Sequence, residues 1–227
     1  MATINEIIYD VREKINQHID DSDITDRYII HKINLVRNKF LQQRLDNFRA
    51  LKGNNILQKF CTKLEKSDSG LCERLGCEYI LKSKDVMPQT LELHNTQSIF
   101  RIKPTDILSK KISFISLDRL EYVEGSSFQE SLYAFIDTDD YLYIFSPNGD
   151  FTNLDCLEIT GIFSNPLELE NYKNCCNCNT IESCYDPYTD IYPMYKHLIF
   201  DLVQIVSKEI IEIFRLQSDK ENNSDEQ

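Results

Sequence analysis

The sequence predicts an α+β fold: an N-terminal helical hairpin and a C-terminal helix packed together, with an inserted β-rich lobe. Three observations predict it. Apolar residues recur at helical spacing before Gly53. From there to Pro166 the pattern changes to short runs rich in β-branched and aromatic residues. After Pro193 helical spacing returns over one long stretch. The predicted organisation is a helical hairpin over 1–52, a β-rich lobe over 53–166 and a cysteine-rich connector over 167–192. A helix over 193–216 then completes the helical core, followed by a tail over 217–227. That tail, QSDKENNSDEQ, has no apolar residue to bury and is expected to be disordered.

The first helix is announced by Thr3-Ile4-Asn5-Glu6, which has capping-box spacing. Ile4, Ile7, Ile8, Val11, Ile15 and Ile19 follow on one face. The acidic run Asp20-Asp21-Ser22-Asp23 ends that helix and offers caps for the next. Tyr28, Ile29, Ile33, Val36, Phe40 and Leu41 then mark a second helix reaching towards Phe48. A short polar turn between two helices makes an αα-hairpin.

After Gly53-Asn54-Asn55, strands are predicted at 56–64, 79–81, 91–93, 99–102, 112–117, 120–123, 132–136, 141–145 and 157–163. The clearest pair is LYAFIDTDDYLYIFS, in which a polar tip separates two aromatic-rich runs and reads as a β-hairpin. Asn165-Pro166 breaks the β pattern. Beyond Pro193, Leu198, Leu202, Ile205, Val206, Ile210 and Ile213 give the last helix a broad apolar stripe, and Pro193 suits a first turn.

Composition restricts function. A chain of 227 residues can bury roughly 70% of its unfolded surface and needs no staples to fold. Glu6, Asp10, Arg12 and Glu13 interrupt the first apolar residues, so the N-terminus does not read as a signal peptide. Asp201, Lys208, Glu209 and Glu212 exclude a membrane span from the last helix. Folding in a reducing cytoplasm is expected, with disulfides unfavoured despite eight cysteines. The net charge is −12 and is uneven. Arg27 to Lys66 carries ten Lys and Arg against two acids, whereas Asp137 to Asp190 carries eleven acids against Lys173 alone. Such a split fits one electropositive and one electronegative surface.

Catalytic patterns are not found. Gly70 and Gly76 are one residue too far apart for a phosphate loop, and Cys77 follows where Lys belongs. No dinucleotide fingerprint, nucleophile elbow or paired-histidine zinc helix occurs. The acidic run ending at Asp26 lacks the glycine and the closing glutamate of a calcium loop. The chain is therefore not expected to be an enzyme. Among the cysteines, Cys175 and Cys178 have the two-residue spacing that zinc favours, and Cys72 with Cys77 would supply a second pair. Buried thiols are the favoured reading of all four, and no cofactor is expected. Arg27, Lys32, Arg37, Lys39 and Arg44 on the second helix are the candidate contacts for DNA or a partner.

The middle of the chain has a familiar text. GCEYILKSKDVMPQTLELHN, IFRI, LYAFIDTDDYLYIFSPN and LEITGIFSNPLEL stand in this order. They are preceded by INEIIYDVREKINQHIDDSDITDRYIIHKINLVRNKFLQQRL and followed by CYDPYTDIYPMYKHLIFDLVQIVSKEI. Together they resemble a structural protein of tailed bacteriophages, in particular of crAss-like phages. One departure is Gly53-Asn54-Asn55-Ile56-Leu57-Gln58, which keeps the amides but lacks the proline the family pattern leads one to expect.

The resemblance implies a portal-proximal ring or adaptor protein at the head-to-tail junction. Its implied partners are the portal protein, neighbouring copies in a dodecameric ring, downstream tail ring proteins and transiting DNA without sequence specificity, with no membrane. Its implied location is the virion, after assembly in the host bacterial cytoplasm. The alternative is a zinc-stabilised binding module that contacts nucleic acid through its basic helix.

Overall fold

The computed structural model describes residues 2–18, 24–46, 54–67, 70, 72, 79–94, 97–105, 112–120, 122–123, 132–149, 151, 154–172 and 185–224, with the backbone alone at 216–224. The fold is α+β, with helices at both ends of the chain and a mixed seven-stranded sheet between them. The chain divides into two compact units. One is residues 1–56, 91–96 and 186–227; the other is residues 57–90 and 97–185.

The first unit is helical. Helix α1 spans Ile4–Asn16 and starts at the predicted capping box. The Glu6 N–H donates to Thr3 Oγ1, and the Thr3 N–H donates to Glu6 Oε2 at 3.0 Å. Such a cap contributes typically about 1 kcal/mol. Ile4, Ile7, Ile8, Val11 and Ile15 form its buried face. Helix α2 spans Asp26–Asp46. Its cap is Thr25, whose hydroxyl accepts from the Tyr28 N–H; the acidic run expected to provide it, Asp20 to Asp23, lies outside the described residues. Arg12 ties the two helices together through Asp26 and the Ile24 carbonyl.

The last helix, α4, spans Ile199–Ser224 and buries Leu202, Val203, Val206 and Ile210. It packs on both α1 and α2. It begins later than Pro193 suggests, after a 3-10 turn over Lys196–Leu198. The physical reason is that the Pro193 carbonyl accepts from Arg37 Nε at 2.9 Å instead of entering a helical ladder. The helix also runs past Leu216 into the polar tail, because elongation of a formed helix is cheap and Gln, Lys and Glu are good helix formers.

The second unit is the sheet, in the order β3-β7-β1-β2-β6-β5-β4. Its strands are β1 Gln58–Ser67, β2 Ile80–Ser83, β3 Ile99–Pro104, β4 Ile112–Phe114, β5 Leu132–Ile136, β6 Leu142–Phe145 and β7 Cys156–Gly161. Strand β1 is shared between two pairings. Gln58 to Lys63 pair with β7, while Leu64 to Ser67 pair with β2. The outermost strands β3 and β4 also touch each other, so the sheet curls towards closure. The β5–β6 pair is the predicted hairpin, with Asp140 in the left-handed region at φ 61°, a conformation Asp tolerates better than most residues.

Alternation along β5 and β6 fills two cores. Leu132, Ala134, Leu142 and Ile144 join Phe60, Leu157, Ile159 and Phe163 on one face. Tyr133, Phe135, Tyr143 and Phe145 join Ile80, Cys72 and Leu120 on the other. Both faces are therefore covered, which explains why these strands read as continuous apolar runs.

Three expectations are corrected. Leu91–Leu93 form no strand. Their backbone serves the end of α2 instead: Gln42 Nε2 donates to the Glu92 carbonyl, and the His94 N–H donates to Asp46. Leu120–Val123 are not a strand either. Leu117–Leu120 form a short helix, α3, which ends in a turn and packs Leu120 onto the aromatic core. Finally, Cys61 and Cys156 are disulfide-bonded, against the expectation of reduced thiols. Sequence order separates them widely, but the antiparallel register places both on one face of neighbouring strands β1 and β7.

Candidate functional site

Helix α2 holds the five basic residues singled out from the sequence, and the structure does not bring them to one face. A helix turns about 100° per residue, so Lys32 and Lys39 share one side and Arg37 and Arg44 another. Arg27 and Lys39 are exposed. Lys32 pairs with Glu209 of α4 at 3.5 Å. Arg44 lies over the Tyr195 ring, 4.9 Å from its centroid.

Arg37 is corrected outright as a surface contact. It is fully buried, with 0% exposure. Its Nη1 donates to Asn38 Oδ1 at 3.0 Å, and its guanidinium sits over Tyr192 at 5.8 Å. Tyr192 in turn donates to Asn34 at 2.7 Å. Arg37 is thus a structural crosslink between α2 and the segment leading into α4.

Of the zinc candidates, Cys72 is a buried free thiol in the aromatic core beside Ile80 and Leu120. Cys77, Cys175 and Cys178 lie outside the described residues. Among the described residues no three His, Cys, Asp or Glu side chains converge as metal ligands.

The concave surface of the helical unit is a groove between α1 and α4. Its first part has a volume of about 660 Å³ and is lined by Glu6, Asp10 and Glu13 on α1 and by Phe200 and Val203 on α4. A second part of about 580 Å³ continues along Gln204, Ser207, Lys208 and Ile211. Lys14 and Gln17 line both parts. Phe200 is 66% exposed, which is unusual for a large apolar side chain. The Lys14 ammonium lies 5.0 Å from its ring centroid, a cation–π distance. Sequence reading missed this surface. Glu6, Asp10 and Glu13 stand at i, i+4 and i+7, a spacing legible in the sequence, where Glu6 reads as part of the capping box and all three as breaks in an apolar run.

A second polar cluster caps the β5–β6 hairpin. Lys82 Nζ donates to Asp139 Oδ2 at 2.9 Å and lies 3.6 Å from the Tyr141 ring centroid. The Tyr143 hydroxyl donates to the same carboxylate at 2.7 Å. The Asp139 hydrogen bond holds the Lys82 ammonium well above its ordinary value, outweighing desolvation. Partial burial pushes the Asp139 carboxyl up, but bonds from Lys82, Tyr143 and the Tyr141 N–H outweigh it and hold the group low. Burial, then the charges of Glu168 and Asp85, push Tyr172 up to about 12.

The cluster makes a pH prediction. A lowered carboxyl stabilises the fold above its unfolded pKa and loses that stabilisation as pH falls through the folded value. A raised ammonium stabilises below its unfolded pKa and loses that contribution as pH rises through the folded value. Both contributions are complete between about pH 5 and pH 9. Asp139→Asn is expected to lower the urea midpoint modestly at pH 7, with the gap to wild type closing as pH falls through the lowered folded value of the carboxyl. A gap unchanged in acid would remove the ionic role of Asp139. Screening at this half-exposed site keeps the effect well below that of a core deletion.

Among the described residues no helix is long and apolar enough to cross a membrane. The family model described as phage tail ring protein 2 matches residues 6–227. The chain is also 27% identical over 223 residues to ring protein 2 of Bacteroides phage crAss001, covering 98% of this chain and 96% of that protein.

Proposed function

Because the chain belongs to the phage tail ring protein 2 family, the structural ring proteins of the phage virion, we propose that it is the ring-forming adaptor at the portal–tail junction. In this reading it connects the head to the tail and continues the channel through which DNA passes. Its partners are the portal protein, neighbouring copies of itself in a dodecameric ring, the downstream tail ring proteins and transiting DNA without sequence specificity. Its role is structural rather than catalytic, and assembly takes place in the host bacterial cytoplasm.

The observation that carries the reading is the family match across almost the whole chain. The alternative, a zinc-stabilised module with a nucleic-acid helix, loses support because Arg37 is internal and the other basic residues are divided around α2.

Electron cryomicroscopy of virion necks, with sedimentation of the purified chain mixed with portal, tests the proposal. The expected result is a ring of this chain against the portal and co-sedimentation of the two. Necks that hold the chain only at a distance from the portal would overturn the adaptor role.

A further inference from the structure

We propose that the outer face of strands β3, β7, β1 and β2 binds the phosphate backbone of duplex DNA without reading its sequence. The inference rests on the channel reading for where DNA is met, and it moves the contact from α2 to the sheet. Ile102, Leu157, Ile159, Phe60 and Leu81 belong to the core on one side of these strands. Side chains alternate along a strand, so Arg101, Lys103, Glu158, Lys59, Lys63 and Lys82 lie on the other side. The Lys84 N–H donates to the Lys63 carbonyl at 2.8 Å and extends the β1–β2 ladder, which sets Lys84 directly across from Lys63. On this face Lys59, Lys63, Lys82, Lys84, Arg101 and Lys103 stand against Glu65 and Glu158, in a chain whose net charge is −12.

The protein does not neutralise this face itself. Glu158, the central acid, is 19% exposed and held between Lys103 at 3.1 Å and Lys59 at 3.9 Å. Lys82 pairs with Asp139 at the hairpin tip. Among the described residues no carboxylate pairs with Lys63, Lys84 or Arg101, and all three are exposed. Lys63 and Lys84 are like charges on directly opposite residues, a placement that costs stability and that a bound anion makes favourable. Arg101 and Lys59 flank Thr160 from the two sides of β7. The cations thus span about 13 Å along β1, from Lys59 to Lys63, and about 14 Å across the strands from β3 to β2. About 14 Å of duplex carries about eight phosphates on its two strands, enough to meet every unpaired cation of the face.

The residue types favour a phosphate backbone over an acidic protein. Protein interfaces centre on apolar or aromatic anchors and are depleted of charge there. The centre of this face is Glu158 and Thr160 above the buried Cys61 and Cys156, and Phe100, 39% exposed, lies at its edge on β3. Asn and Gln, the side chains that read adenine, do not occur among the described outward residues of these strands. The cations are mostly Lys, a point charge without the fork that reads guanine. Such a face positions a backbone and leaves the bases unread.

The test is fluorescence anisotropy of the full chain with two labelled duplexes of unrelated sequence, titrated from low to high salt. The sheet variant carries Lys63→Gln, Lys84→Gln and Arg101→Gln; the control carries Arg27→Gln and Lys39→Gln on α2. Wild type is expected to bind both duplexes alike at low salt and to release them as salt rises. The sheet variant binds at least about tenfold more weakly at low salt. Its slope of log affinity against log salt is shallower by about 2–3, since each phosphate contact contributes about 0.9. The α2 control keeps the wild-type affinity and slope. Thermal melting by circular dichroism shows the sheet variant no less stable than wild type, because the Lys63–Lys84 repulsion is gone. Should the triple variant fail to fold, Lys84→Gln alone is expected to make the slope shallower by about one.

A wild-type chain that leaves both duplexes free at low salt overturns the inference. So does a sheet variant with wild-type affinity and slope, or a loss confined to the α2 control. Polyglutamate bound more tightly than duplex DNA also overturns it, and makes the face a docking surface for an acidic protein. These failures are distinct from failure of the ring reading, which is decided by whether necks contain a ring of the chain at all. A ring with this face turned away from the channel leaves that reading standing and removes this one.

Discussion

Arg37→Ala is expected to destabilise the helical unit by roughly 3–5 kcal/mol, combining a large cavity with the loss of a charge-assisted hydrogen bond. The side chain is fully buried within the helical unit, against Tyr192. Its Nε bond to Pro193 O fixes the segment from which α4 sets out. Truncation leaves that carbonyl without its donor and opens space between α2 and Tyr192. Arg37→Met separates the two contributions, because it keeps most of the volume and loses only the hydrogen bonds, at roughly 1.5–3 kcal/mol. Lys39→Ala, two residues along the same helix and exposed, should stay within about 0.5 kcal/mol of wild type. Urea denaturation followed by far-ultraviolet circular dichroism reads all three. An Arg37→Ala chain as stable as Lys39→Ala would return Arg37 to the list of surface contacts and would detach Pro193 from the account of where α4 begins.

This case shows which parts of the molecule the sequence discloses. Local rules were enough for Thr3 and Glu6, because a capping box is made within one turn. They were enough for the β5–β6 hairpin, whose strands meet across a short acidic tip. They failed where a residue's role is fixed by a distant partner. Helical spacing sets Arg37 in the i, i+4 row of Ile33 and Leu41 and leaves Lys39 off it, but the partners that hold a buried guanidinium, Pro193 and Tyr192, come from far along the chain. Leu91-Glu92-Leu93 alternates like a strand, yet its backbone bonds to α2 side chains from far earlier in the chain. The Cys61–Cys156 proximity depends on the β1–β7 register, and the parallel β4–β5 pairing is equally non-local. The candidate groove had a local signal in the spacing of Glu6, Asp10 and Glu13. Its other wall is α4, so the concavity became visible only with the helices packed.

The sheet unit has its own sensitive point at Phe60, and Phe60→Ala is expected to cost roughly 3–5 kcal/mol. Phe60 is 1% exposed on the half of β1 that pairs with β7. Its ring meets Phe163 edge-on at 5.4 Å and Tyr172 at 5.0 Å, contacts worth about 0.5–1.5 kcal/mol each beyond their buried area. The site has little freedom to collapse into the space. Phe163 is held close to Gly161, where an added Cβ would lie 3.2 Å from its ring and 3.0 Å from the Ser98 carbonyl. Tyr172 is anchored by its hydroxyl, which donates to the Val86 carbonyl at 2.6 Å. A cavity whose walls cannot move keeps its full cost. Phe60→Leu, which refills much of the volume, should lose under about 2 kcal/mol. Gly161→Ala probes the same corner from the opposite direction, by overpacking, and should lose about 1–3 kcal/mol. Equilibrium urea unfolding of the three variants distinguishes a rigid corner from a compliant one. If Phe60→Ala and Phe60→Leu lose the same small amount and Gly161→Ala loses nothing, the corner relaxes, and the sheet draws its stability from the aromatic core around Phe135 and Tyr143 instead.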